Sequence, residues 1–130
     1  MNKTIEAIPD VVREYLMLDT HEATPNIPII AGDLVPDPPD QMAIFLNGTT
    51  NVVAYFGSSG NTSSPLIVIL VRATTYGVGL SNAQIARELL SQKVSVDNVD
   101  IVPASDVIYL GRNEQHLHLF RTNYKTIIKE

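Results

Sequence analysis

Between residues 41 and 79 this chain carries one charged side chain, Arg72. Inside that stretch, residues 66–72 (LIVILVR) are rich in β-branched residues and show no polar alternation. A strand with one wet face alternates; a strand covered on both faces does not. These residues therefore predict a central strand, and the rest of the chain has to supply cover for both of its sides. The run is also far shorter than the roughly 20 apolar residues a membrane-spanning helix needs.

The flanking regions have a different charge pattern. Residues 1–40 hold eight acids and two bases, and residues 80–130 hold six of each. The acidic N-terminal third has to face solvent or something basic. A net charge of −5 and a pI near 5.0 are the wrong sign for the cationic footprint that sequence-independent nucleic-acid binding requires. A chain of 130 residues suits a single domain, residues 1–130, that buries roughly two-thirds of its unfolded surface without staples. There are no cysteines, which removes disulfides, thiolate metal sites and a cysteine nucleophile. The N-terminus lacks a secretory apolar core, so the expectation is an intracellular soluble protein. On that expectation the glycosylation-type triplets at Asn47 and Asn61 are chance matches.

Along the chain, residues 4–18 predict an amphipathic helix with Ile5, Ile8, Val12 and Leu16 on one side. Pro9 requires that helix either to start later than Thr4 or to bend. Residues 27–30 contain Pro28 and read as an edge strand at most. Three prolines at positions 36, 38 and 39 force extended geometry on residues 35–40. Residues 41–46 and 52–56 read as two strands, with Asn47-Gly48 as a turn between them. Residues 57–64 are small and polar, and predict a mobile loop that Pro65 ends.

Ser81-Asn82-Ala83-Gln84 has the form of a capping box opening a second helix that runs to about Gln92. Its expected apolar stripe is Ile85, Ala86, Leu89 and Leu90, with Arg87 and Glu88 facing out. Asp97 and Asp100 read as turn and cap residues, and residues 111–114 as a turn. Residues 116–128 form a last long strand whose apolar side changes phase near Arg121, as a bulge or two covered faces would require. The order of elements predicts an α+β fold: a mostly antiparallel sheet flanked by two α-helices, with no internal repeat.

No catalytic constellation emerges. His116 and His118 have metal-ligand spacing on one face of a strand, but His21 is the one remaining histidine, so exposed strand residues are the plainer reading. Asp37 and Asp40 form a candidate carboxylate pair, but a proline turn on the surface explains them better. Gly77-x-Gly79 before a helix lacks the third glycine of a dinucleotide loop and the Lys-Ser/Thr ending of a P-loop. There is no Gly-x-Ser-x-Gly elbow.

Three segments together resemble a known family. PDPPDQMAIFL (residues 36–46), PLIVILVRATTYGVGLSNAQIARELL (65–90) and YLGRNEQHLHLFRTNYKTI (109–127) are similar, in that order, to the small minor capsid proteins of long-tailed bacteriophages. Asn113 stands where that pattern has Asp, and residues 57–64 have no counterpart in it. The resemblance implies a tail terminator, also described as a tail completion or tail-to-head joining protein. It implies an α+β fold, a hexameric ring that caps the tail tube, and partners in the tail tube protein and the head connector or stopper. It implies a virion location at the head–tail junction after assembly in the host cytoplasm. It implies no enzymatic activity, no cofactor, no catalytic or metal residue, no membrane and no specific nucleic-acid binding, with the ring bore open to DNA. The expected contact residues are Asp37, Asp40, Gly57, Ser58, Ser59, Gly60, Arg112, Arg121 and Lys125, acidic and basic segments meeting across a ring contact. A head-completion or stopper protein is the alternative. A small metal- or ligand-binding enzyme using His116, His118 and an aspartate is the more distant one.

Overall fold

A computed structural model describes residues 8–18, 20–51, 63–91, 94–96 and 99–128. The helices are α1 (Ile8–Leu16) and α2 (Tyr76–Leu89). The strands are β1 (Ile29–Ala31), β2 (Gln41–Asn51), β3 (Ser63–Ala73), β4 (Val94–Val96), β5 (Val99–Pro103), β6 (Ile108–Arg112) and β7 (His118–Ile128). All seven strands join one sheet in the order β1-β2-β3-β7-β5-β4, and β6 also pairs with β7. Apart from the parallel β1–β2 pair, every pairing is antiparallel. The chain is α+β.

β3 lies between the two other long strands. It pairs with β2 from Gln41↔Arg72 onward and with β7 from Leu66↔Lys125 to Ala73↔His118. Ile67, Ile69 and Val71 point to the helix side and are at most 1% exposed, and Val68 on the other side is equally buried. The helix-side face is thus fully buried and the other is buried at Val68 and Arg72, with Leu66 and Leu70 half-buried between and beside them. On the helix side the core gathers Met42, Ile44, Phe120, Tyr124 and Ile101 from the sheet and Ile8, Val12, Leu16, Ala83, Ala86 and Leu90 from the helical segments.

α1 is described from Ile8 to Leu16, with Pro9 helical and buried, while the expected helical residues before Ile8 lie outside the described residues. It buries Ile8, Pro9, Val11, Val12 and Leu16, and packs on β1 and β2. Arg13 reaches from α1 to β1, donating through Nε to the Ile29 carbonyl at 2.7 Å.

Several local expectations are corrected. Asn47-Gly48 makes no turn, because β2 runs through it to Asn51. Between Leu46↔Ile67 and Thr49↔Pro65 the chain takes three steps on β2 against two on β3, which is a β-bulge. Ser63, Ser64 and Pro65 belong to β3 and not to a loop. The strand expected over residues 52–56 and the rest of the small polar loop lie outside the described residues. β7 keeps an unbroken register with β3, and Phe120, Thr122, Tyr124 and Thr126 are buried together on one face. Of the two readings of its apolar phase change, the bulge in β7 is absent, and the other face, with Leu119, Arg121 and Asn123, is half-buried; the bulge lies in the partner strand β6, at Leu110, where Gly111 takes φ +92.

The capping box does not open α2. Thr75 is the N-cap, in extended conformation, and its hydroxyl accepts from the Val78 amide at 3.2 Å. Ser81 is an exposed mid-helix residue, and Gly77 and Gly79 lie in the first turns. Gly79 is required by packing. A Cβ there would meet the Phe120 ring, with Cδ1 at 2.9 Å, and would come within 3.1 Å of the Ala73 Cβ. A Cβ on Gly77 would meet nothing within 4 Å. Gly79→Ala should therefore lose roughly 1–3 kcal/mol to overpacking, partly offset by helix propensity, whereas Gly77→Ala should be neutral or gain up to about 1 kcal/mol. Urea melts of the two variants check this pair of opposite signs.

Candidate functional site

The middle third's lone charge is buried. Arg72, 8% exposed, is the next-to-last residue of β3, on the face away from the helices. Every hydrogen bond described for it goes to a backbone carbonyl of the proline segment. Nε donates to Pro39 O at 2.8 Å, and Nη2 donates to Val35 O at 2.6 Å, Pro38 O at 2.9 Å and Pro36 O at 3.2 Å. Beside it Gln41, fully buried, accepts from the Val35 amide at 3.0 Å and donates to Val35 O and Pro38 O at 3.0 and 2.7 Å. Prolines supply acceptors without matching N–H donors, and a guanidinium is all donor. The two are complementary, and the loop is held in one shape, including a cis Asp37–Pro38 bond. A depression of about 450 Å³ lies between this loop and the β6–β7 turn, lined by Leu34, Val35, Pro36, Arg72, Gln115 and Leu117.

The two aspartates of that loop separate in role. Asp40 accepts from the Thr74 amide at 2.6 Å and so ties the loop to the start of α2. Asp37 is exposed. Asp100, expected in a turn, lies in β5 at 4% exposure and accepts from the Ser95 hydroxyl at 2.6 Å; Asp97 lies outside the described residues. His116 and His118 do not share a strand face. His116 sits in the turn before β7 with φ 64, in a turn pinned by Asn113, whose side-chain oxygen accepts from the amides of Gln115 and Leu117 at 2.9 and 3.0 Å. His118 Nδ1 is 2.8 Å from the Tyr109 hydroxyl. Among the described residues no three His, Cys, Asp or Glu side chains cluster as metal ligands would, and no helix is long and apolar enough to cross a membrane.

The expected basic segment is not one patch. In the β3–β7 register His118 stands at one end and Lys125 seven residues away, roughly 23 Å at a strand's rise per residue. Arg112 pairs opposite His118, at the end that also carries the proline loop. Arg121 is half-buried in mid-strand and donates to Asn123 Oδ1 at 3.0 Å. Lys125 is exposed. Gly57, Ser58, Ser59 and Gly60 lie outside the described residues. Arg87 does not simply face out; it donates to Ser105 O at 3.1 Å and pairs with Asp106 at 3.3 Å, fastening α2 to the segment between β5 and β6.

What the pattern reading missed are the exposed apolar side chains. Met17 and Leu18, just past α1, are 50% and 45% exposed, and Ile108, Tyr109 and Leu110 on β6 are between 43% and 50%. Tyr109 belongs to an aromatic cluster with Tyr76, His118 and Phe120, ring centroids 5.0–5.9 Å apart. The available signals were weak: Leu18 falls off the helical stripe, and the 107–110 run has no alternation.

One buried polar atom stands out. Among the described residues, the Tyr124 hydroxyl is the buried side-chain oxygen with no hydrogen-bond partner. Burial pushes its phenol well above the ordinary range, and the charge of Arg87 pulls weakly the other way. The raised value means that this group's contribution to stability is complete below about pH 10, the unfolded phenol's pKa, and is lost as pH rises beyond it.

No protein-family model and no curated protein matches the chain. Solved structures do. One chain of a structure described as "Virion of native gene transfer agent (GTA) particle" superposes with a TM-score of 0.61 at 14% identity, covering 95% of this chain and 95% of that one. The likeness shows that the two share a fold from end to end.

Two outcomes are expected from this geometry. Arg72→Met should cost about 2 kcal/mol, the net worth of one or two hydrogen bonds from a charged donor, and amides of residues 34–41 should exchange faster while those of β7 stay protected. Tyr124→Phe removes an unsatisfied hydroxyl, so it should be neutral or stabilising by about 1 kcal/mol in thermal and urea melts.

Proposed function

We propose that this chain is a structural virion protein, a tail terminator that forms a ring on the end of a tail tube and joins the tail to the head connector. The observation that carries the reading is the end-to-end likeness of fold to a chain of a virion particle. The order of the three family-like segments supports the finer role, since each now has a place in that fold: the proline loop with β2, β3 with α2, and β6 with β7. On this reading the protein is not an enzyme. It works as a hexamer at the head–tail junction, between the tail tube protein and the connector. Asp37, Arg112 and Lys125 remain proposed contact residues, because they are exposed. Asp40 and Arg121 are already engaged within the chain, so they come second.

Electron microscopy of particles made without the protein tests the role. Overlong tails, or tails detached from DNA-filled heads, are the expected outcome. Heads that leak DNA would make it a stopper instead, and normal particles would overturn a virion role.

A further inference from the structure

Arg72 is held in place, but its charge is unanswered. Among the described residues no carboxylate forms an ion pair with it. Its acceptors are neutral carbonyls, bonded to Nε and Nη2. They meet the need for hydrogen bonds and leave a full positive charge on a side chain that is 8% exposed. A buried charge is costly until an opposite charge stands beside it.

The third nitrogen, Nη1, is the open one. No described hydrogen bond uses either of its N–H donors. Among the described residues the enclosed side-chain polar atom without a partner is the Tyr124 hydroxyl, so Nη1 is reached from outside. Arg72 lines the depression of about 450 Å³ between the proline loop and the β6–β7 turn, and Nη1 is the donor it has left to offer there. The bonds to the loop already fix the guanidinium, so it loses little freedom on gaining a ligand.

The surroundings select among anions. Arg72 is the one charged residue in the lining, and Leu34, Val35, Pro36 and Leu117 give it apolar walls. Its volume falls within the roughly 300–1,000 Å³ of ligand pockets. Asp33, Asp37 and Glu114 each adjoin a lining residue in the sequence, and all three are exposed. Arg112 and His116, also exposed, lie on the β6–β7 side, and Asp40 is engaged with Thr74. A nucleic-acid backbone would bring many charges past three acids to reach one guanidinium, and a phosphate would lose its hydration against apolar walls. A single carboxylate with apolar neighbours avoids both costs.

We propose that this depression is a peptide-docking site, in which Arg72 Nη1 takes the carboxylate of one Asp or Glu carried on an otherwise apolar, uncharged segment of a partner protein. The neighbours of that acidic residue lie against Leu34, Pro36 and Leu117. The site does not rest on the ring reading above.

The test uses the full chain and the acetylated, amidated tripeptide Leu-Glu-Leu, with Leu-Gln-Leu as its neutral counterpart. NMR follows the amides of Leu34, Val35, Gln115 and Leu117 and the Arg72 Nε–H. The acidic peptide should shift these signals saturably, with a Kd of about 1 mM or tighter. The neutral peptide should bind about fivefold or more weakly. Gln115 is exposed, so its variants should keep the fold, which circular dichroism checks. Gln115→Glu places a competing carboxylate at the depression and should weaken the acidic peptide about fivefold or more, whereas Gln115→Lys should bind it at least as well. Equal affinity for the two peptides would overturn the proposal, as would an acidic peptide that leaves these signals unmoved or a Gln115→Glu variant that binds it undiminished. Acetate or inorganic phosphate binding as tightly as Leu-Glu-Leu would make this a small-anion site and overturn the docking of a segment.

Discussion

One constraint organises the molecule: β3 is dry on its helix side, largely buried on the other and paired along both edges. Its edges are met by β2 and β7, and its helix-side face by the core under α1 and α2. The far face is closed at one end by folding the proline segment over it. That closure places a guanidinium out of water, which is costly unless its donors are used. The carbonyls of Val35, Pro36, Pro38 and Pro39 use those of Nε and Nη2. A segment poor in donors and a side chain with donors alone solve each other's desolvation problem, and the loop acquires a fixed shape as a consequence.

The same economy of fastening runs through the helices. Arg13 ties α1 to β1, Arg87 ties α2 to the chain between β5 and β6, and Asn82 joins α2 to the loop before β1 by accepting from the Asn26 amide at 2.8 Å. Each is a contact distant in sequence, made by a polar side chain to backbone. Such contacts fix where a helix lies on the sheet, which apolar packing alone leaves loose. Gly79 does the same by absence, letting α2 approach Phe120.

A rigid sheet with helices on one face leaves its edges as the natural places for neighbours. At the short β1 edge Arg13 donates to the Ile29 carbonyl, whereas among the described residues no strand pairs with the outer side of β6, whose Ile108, Tyr109 and Leu110 are exposed.

The α+β class, the helix around Val12 and Leu16, the edge strand near Pro28, the bulk of β2 and β3 and the lone charge in the middle third were all legible in the sequence, because hydrophobic period and proline chemistry act locally. Other features were decided in three dimensions. Thr75 and Ser81 are both competent N-caps, and in the fold it is Thr75 that starts α2, with Gly79 fitted against Phe120. Asn47-Gly48 is a good turn, but continued pairing with β3 beyond Leu46 makes it a bulge. Asp100 looks like a turn residue until Ser95 and the sheet enclose it. Local signals state what a segment is able to do. Which option it takes depends on burial energy summed over partners distant in the chain, and no window of sequence contains that sum.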